Sequence, residues 1–149
     1  MSQKLKLRIC RIVMRACLFL AVGFGILAFL SDDFCVMGYG IEGITRHSQM
    51  NSFTSDEPLL ILYVGIILCI FAFIMCFLER KITFFVAGVG LIIILAIPMA
   101  MFFTAPFYQV IYDSIYYCKN SALLMMVIAL YAYLGVWIYY LLQSEKDSL

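Results

Sequence analysis

Four long apolar runs, at about residues 13–30, 59–78, 82–103 and 122–142, constrain this chain more than any other feature. No charge sits deep inside any of them. A helix rises 1.5 Å per residue, so about 20 residues cross the roughly 30 Å hydrocarbon core of a bilayer. The runs take up more than half of the 149 residues, which leaves short connections and no separate water-soluble domain. Hydrophobic residues are 66% of the chain, charged ones only 13%, and the mean hydropathy is +1.06. A soluble domain of this length needs more charge to cover its surface. The expected fold is an all-α integral membrane protein, a single domain over residues 1–149 with four transmembrane helices in an up-down bundle.

A net charge of +1 hides a strong segregation. Lys4, Lys6, Arg8, Arg11 and Arg15 lie before or at the start of the first run, Arg80 and Lys81 separate the second and third, and Lys146 follows the fourth. Of the 10 basic residues only Arg46 and Lys119 fall in the other two connections, 31–58 and 104–121. Those connections carry Asp32, Asp33, Glu42, Asp56, Glu57 and Asp113, the larger part of the 9 acids. The positive-inside rule then predicts both termini and the inner turn 79–81 in the cytoplasm, with 31–58 and 104–121 as outer loops. A bacterial inner membrane is the preferred location, a eukaryotic secretory-pathway membrane the alternative; in the latter Cys10 or Cys17 is a candidate for palmitoylation. The first run begins like a signal peptide, but Leu27-Ala28-Phe29-Leu30-Ser31-Asp32 lacks a small-x-small cleavage pair. A retained signal anchor is expected.

The basic arm over residues 1–12 alternates briefly and then takes helical spacing. Arg8, Arg11 and Arg15 share a helix face there, which is expected to meet anionic headgroups, with Arg15 snorkelling from the first turn of the span. Ala21 and Gly25 lie four apart, and Gly65, Gly88 and Gly90 recur on the next two spans; small residues at such positions let helices approach closely. Pro98 removes a backbone donor in the third span and predicts a kink.

In the first outer loop Gly38, Gly40 and Gly43 predict turns, compatible with a hairpin or short surface helices. Ser55-Asp56-Glu57-Pro58 reads as the capped entrance to the second span. In the second outer loop Phe107, Val110, Ile111 and Ile115 follow helical spacing, with Gln109 and Asp113 on another face. This predicts a short amphipathic helix at the interface. Tyr39, Tyr108, Tyr112, Asp113 and Tyr116 are the candidate partner-facing residues of the outer loops. Tyr131, Tyr133, Trp137, Tyr139 and Tyr140 read as an aromatic belt at the inner end of the fourth span.

Six cysteines divide by topology. Cys10 and Cys17 fall near the inner face, Cys69 and Cys76 inside the second span, and only Cys35 and Cys118 outside. These two follow the first span and precede the fourth, helices that are often neighbours in a four-helix bundle. The outer compartment is oxidising, so a Cys35–Cys118 disulfide is expected. It would close a loop of about 84 residues, for which chain entropy gives on the order of 4–5 kcal/mol at most.

No Cys-x-x-Cys pair is present, which argues against a thiol oxidoreductase. One histidine, His47, is too few for a haem held between helices or for a zinc site. No span carries a central acid or base, so proton-coupled export and aspartyl proteolysis are disfavoured. Asp32–Asp33 and Asp56–Glu57 read as solvated acids rather than metal ligands. No cofactor, metal, catalytic residue or nucleic-acid contact is expected; the partners are the lipid bilayer and either another membrane protein or a second copy.

In layout alone the chain is similar to the four-span immunity proteins that protect bacteria from pore-forming colicins. That layout implies inward termini, short loops and recognition of a partner within the bilayer. The leading expectation is a small non-enzymatic interaction protein of this kind, an entry-exclusion factor, or an accessory subunit. The alternative is an oligomeric transporter, channel or lipid-handling protein, its pore lined by Thr83, Thr104 and backbone groups.

Overall fold

Five helices and one hairpin account for the computed structural model, which describes residues 3–31, 35–37, 44–46, 56–78, 80–96 and 107–145. In chain order they are α1 (Gln3–Leu30), β1 (Cys35–Met37), β2 (Ile44–Arg46), α2 (Asp56–Phe77), α3 (Lys81–Ala96), α4 (Phe107–Tyr116) and α5 (Ser121–Glu145). The helices fall on the four apolar runs and on the amphipathic stretch of the second connection. α1 and α5 are each long and apolar enough to cross a membrane, while α2 and α3 contain shorter apolar helical stretches, Gly65–Phe77 and Ile82–Leu91. α1 starts at Gln3, so the basic arm is helical almost from its beginning rather than alternating. Tyr39, Gly38, Gly40, Gly43, His47, Pro98 and Thr104 lie outside the described residues, as do Asp32, Asp33, Ser55 and Lys146.

α1 is the organising helix. Its buried stripe is Cys10, Met14, Leu18, Ala21, Gly25 and Ala28, spaced three and four apart so that all face one way. α5 covers this stripe along most of its length, and α2 packs beside it. A Cβ placed on Gly25 would lie 3.2 Å from Met126 Sδ and 3.5 Å from Ile66 Cγ1, so α5 and α2 both close on α1 at that glycine. Ala21 and Gly65 are buried as well.

Chain direction follows from which residues meet. Along α1 and α2, Phe29 packs on Tyr63, Phe19 on Phe73, and Arg15 reaches Cys76. Along α3 and α5, Phe84 packs on Tyr140 and Gly88 on Trp137. Rising numbers on one helix meet falling numbers on its neighbour, so each pair is antiparallel. α4 touches α2, α3, α5 and β1, and so lies across the end of the helices where the hairpin sits. In the hairpin Cys35 pairs with Arg46, Val36 with Thr45 and Met37 with Ile44.

Candidate functional site

Polar side chains gather at the two ends of the helices. At the hairpin end the organising group is Ser114, fully buried on α4. Its hydroxyl accepts from the Cys35 N–H at 3.1 Å and donates to the Cys35 carbonyl at 3.3 Å, so one side chain satisfies both backbone groups of a buried strand residue. Cys35 is bonded to Cys118, with Cα atoms 5.8 Å apart and a sequence separation of 83. Lys119 next to it adopts the left-handed conformation with φ 56°. That turn lets the Asn120 N–H return to the Ser114 carbonyl at 3.2 Å while the Asn120 side chain accepts from Leu123 N at 3.0 Å as the N-cap of α5. Hairpin, α4 and the start of α5 are thereby tied into one cap.

Serine at position 114 was not singled out by the sequence, because a lone serine in an amphipathic stretch carries no spacing signal. Ser114→Ala leaves the buried Cys35 N–H without its acceptor, a loss of about 1–3 kcal/mol. Thermal unfolding followed by circular dichroism is expected to show it, with Ser114→Thr, which keeps the hydroxyl, losing less.

The outward side of α4 is aromatic. Tyr112 and Tyr116 are 59% and 56% exposed, and their rings stack 5.7 Å apart at an interplanar angle of 5°. Tyr117 meets Tyr116 edge-on at 4.9 Å, and Lys119 Nζ lies 5.4 Å over the Tyr116 ring. Asp113, expected on the same outward side, is instead only 6% exposed and has a partner of its own. Asp113 directly precedes the fully buried Ser114, and burial on this part of α4 extends to it. Tyr108 belongs to the first turn of α4.

At the opposite end Arg15 has a partner on the neighbouring helix. Its guanidinium turns toward α2, where Nη2 donates to the Cys76 carbonyl at 3.1 Å and the group lies 4.9 Å over the Phe77 ring. The last carbonyls of α2 lack helical donors, and a cation there also complements the helix dipole. The supposed aromatic belt of α5 divides by face as well. Tyr131 and Tyr139 are exposed, whereas Tyr133, Trp137 and Tyr140 are buried. Their spacing of four and three was the available signal.

Trp137 Nε1 donates to the Phe84 carbonyl at 2.7 Å, and its ring covers Gly88, where a Cβ would collide with it. Gly90, grouped with Gly88 by sequence, has open space at its Cβ position. The Tyr133 hydroxyl is buried and faces the Cys76 thiol. Thr83, a candidate pore liner, is buried and donates its hydroxyl to the Arg80 carbonyl at 2.6 Å, closing the first turn of α3.

Cys10, Cys69 and Cys76 are buried free thiols and Cys17 is half-buried. Among the described residues no three His, Cys, Asp or Glu side chains group as metal ligands. No protein-family model, curated protein or solved structure matches this chain.

Proposed function

We propose that the chain is a four-span membrane protein, an up-and-down bundle with both termini cytoplasmic. In this reading it works by recognising a membrane partner, as an immunity- or exclusion-type protein or an accessory subunit does. The observation that carries the membrane reading is the outward surface. Leu30 on α1 is 70% exposed, Ile67 on α2 61%, Ile82 on α3 68% and Tyr131 on α5 64%, and each has further exposed apolar neighbours on its helix. Water does not tolerate apolar faces on every helix of a monomer, whereas lipid solvates them. The antiparallel helix pairs support the up-and-down order, and the segregation of Arg and Lys supports the orientation.

The recognition reading is supported by how the interior is spent. Ser114, Trp137, Asn120, Arg15 and Thr83 hold backbone groups of the chain itself, which makes the bundle a rigid scaffold. The exposed Tyr112 and Tyr116 then offer low-entropy contact area at the hairpin end, the residue type favoured at interfaces. A pore assembled from several copies gains no liner from Thr83, whose hydroxyl is already bonded.

A photoreactive amino acid placed at Tyr112 or Tyr116 in native membranes is expected to give one discrete adduct, while the same group at buried Leu91 gives none. Deleting the protein should alter susceptibility to a membrane-active toxin or the yield of a membrane complex. Equal adducts from all three positions, or a deletion with neither effect, would count against recognition.

A further inference from the structure

Lys119 stands where a lysine is unfavourable. Its φ of 56° is the only left-handed value at a non-glycine among the described residues. Glycine takes that conformation without penalty, and asparagine takes it more readily than lysine does. The turn itself serves the cap, since it lets the Asn120 N–H return to Ser114, but that duty asks nothing of the Lys119 side chain. Strain held at one residue therefore directs attention to what its side chain does.

That side chain is exposed and lies on the aromatic surface of α4. Its Nζ is 5.4 Å over Tyr116, which stacks on Tyr112 and meets Tyr117 edge-on. A ring steadies an ammonium group but does not accept its three N–H donors as oxygen atoms do. No carboxylate pairs with Lys119 among the described residues, and the acid nearest in sequence, Asp113, is buried with a partner of its own. The surface thus sets one cation among three tyrosine rings that are 40% to 59% exposed.

We infer that this surface docks an acidic segment of a partner protein. An Asp or Glu of that segment pairs with Lys119, and its neighbouring side chains cover Tyr112, Tyr116 and Tyr117. Charge complementarity selects the acid, and tyrosines on a rigid cap supply the contact area. A lipid phosphate meets the ammonium equally well but leaves the ring faces bare, which favours the protein. The inference rests on the recognition reading above and deepens it by naming the partner's chemistry.

The test is photocrosslinking of the full chain in native membranes from a benzoylphenylalanine at position 112, which leaves Tyr116 under Lys119. Lys119→Gln should lower the adduct about fivefold, and Lys119→Glu should lower it further. Lys119→Arg, which keeps the charge, should retain it. Lys119→Gly separates docking from structure: the backbone relaxes, so the thermal midpoint should not fall while the adduct falls as it does for Lys119→Gln. Rising salt should weaken the adduct of the chain with Lys119 and leave that of Lys119→Gln unchanged. Mass spectrometry of the linked peptide should find an Asp or Glu in the partner's segment. An adduct indifferent to Lys119→Glu would overturn the acidic partner and leave recognition by α4 standing. Adducts formed on phospholipid, or on a second copy of this chain, would overturn it too. No adduct at all from position 112 or 116 would remove the recognition reading along with it.

Discussion

Gly88→Ala is expected to destabilise the protein by about 2 kcal/mol even though alanine is the better helix former by about 1 kcal/mol. The added methyl falls inside the contact distance of the Trp137 indole, at its Cε2, Cζ2 and Nε1 atoms. The ring has nowhere to retreat, because Nε1 is bonded to the Phe84 carbonyl one turn before Gly88 on the same helix. Moving it aside therefore strands a buried donor, worth about 1–3 kcal/mol, in addition to an overpacking cost of about 1–3 kcal/mol.

A double-mutant cycle in detergent separates these terms from the helix propensity. In a Trp137→Leu background the obstruction is gone, and Gly88→Ala should become neutral or stabilising. Equal losses in both backgrounds would show that the α3–α5 contact does not depend on this fit. Gly25→Ala is a useful contrast, since its nearest neighbours are the flexible ends of Met126 and Ile66 rather than a pinned ring.

The different fates of Gly88 and Gly90 show where sequence reading stops in such a chain. Element positions were legible because charge marks the ends of apolar runs: α1 ends at Leu30, and α2, α3 and α5 each lie within a residue of the expected boundary at one end. The pairing of Cys35 with Cys118 was legible for the same reason, since topology isolates them from the other four cysteines. Facing was harder. A helix that is apolar all round gives no amphipathic signal for which side meets its neighbours.

Gly88 and Gly90 are thus equivalent in sequence, while one is covered by an indole and the other is open. Arg15 was read as a headgroup contact from its place in the first turn of the span, and its bond to the Cys76 carbonyl depends on where α2 ends. Asp113 was assigned to a polar face by its spacing from Gln109, although it is buried, and the cap built on its neighbour Ser114 depends on Cys35, which is distant in sequence.

Breaking the Cys35–Cys118 bond should have the other large effect, and its ceiling can be stated. A closure spanning 83 positions removes chain entropy worth on the order of 4–5 kcal/mol from an unfolded chain. A chain that keeps its helices when it unfolds in lipid or detergent has less freedom to recover, so the measured loss should fall below that figure. Cys35→Ser, Cys118→Ser and the double variant are expected to lower the thermal midpoint by one common amount, because each removes the same closure. Reductant added to the wild-type chain should reproduce that shift and have no effect on the variants. Denaturing alkylation read by mass spectrometry supplies the independent count: Cys10, Cys17, Cys69 and Cys76 label without reductant, and Cys35 and Cys118 only after it. The Ser114 bonds to Cys35 use backbone groups and survive the serine substitutions, so the cap should loosen rather than dissolve. Photocrosslinking from Tyr112 and Tyr116 in the same variants would then link the clasp to recognition. Diminished adducts alongside unchanged membrane insertion mean that the disulfide holds the aromatic surface of α4 in its binding posture, and undiminished adducts mean that Ser114 and Asn120 hold it alone.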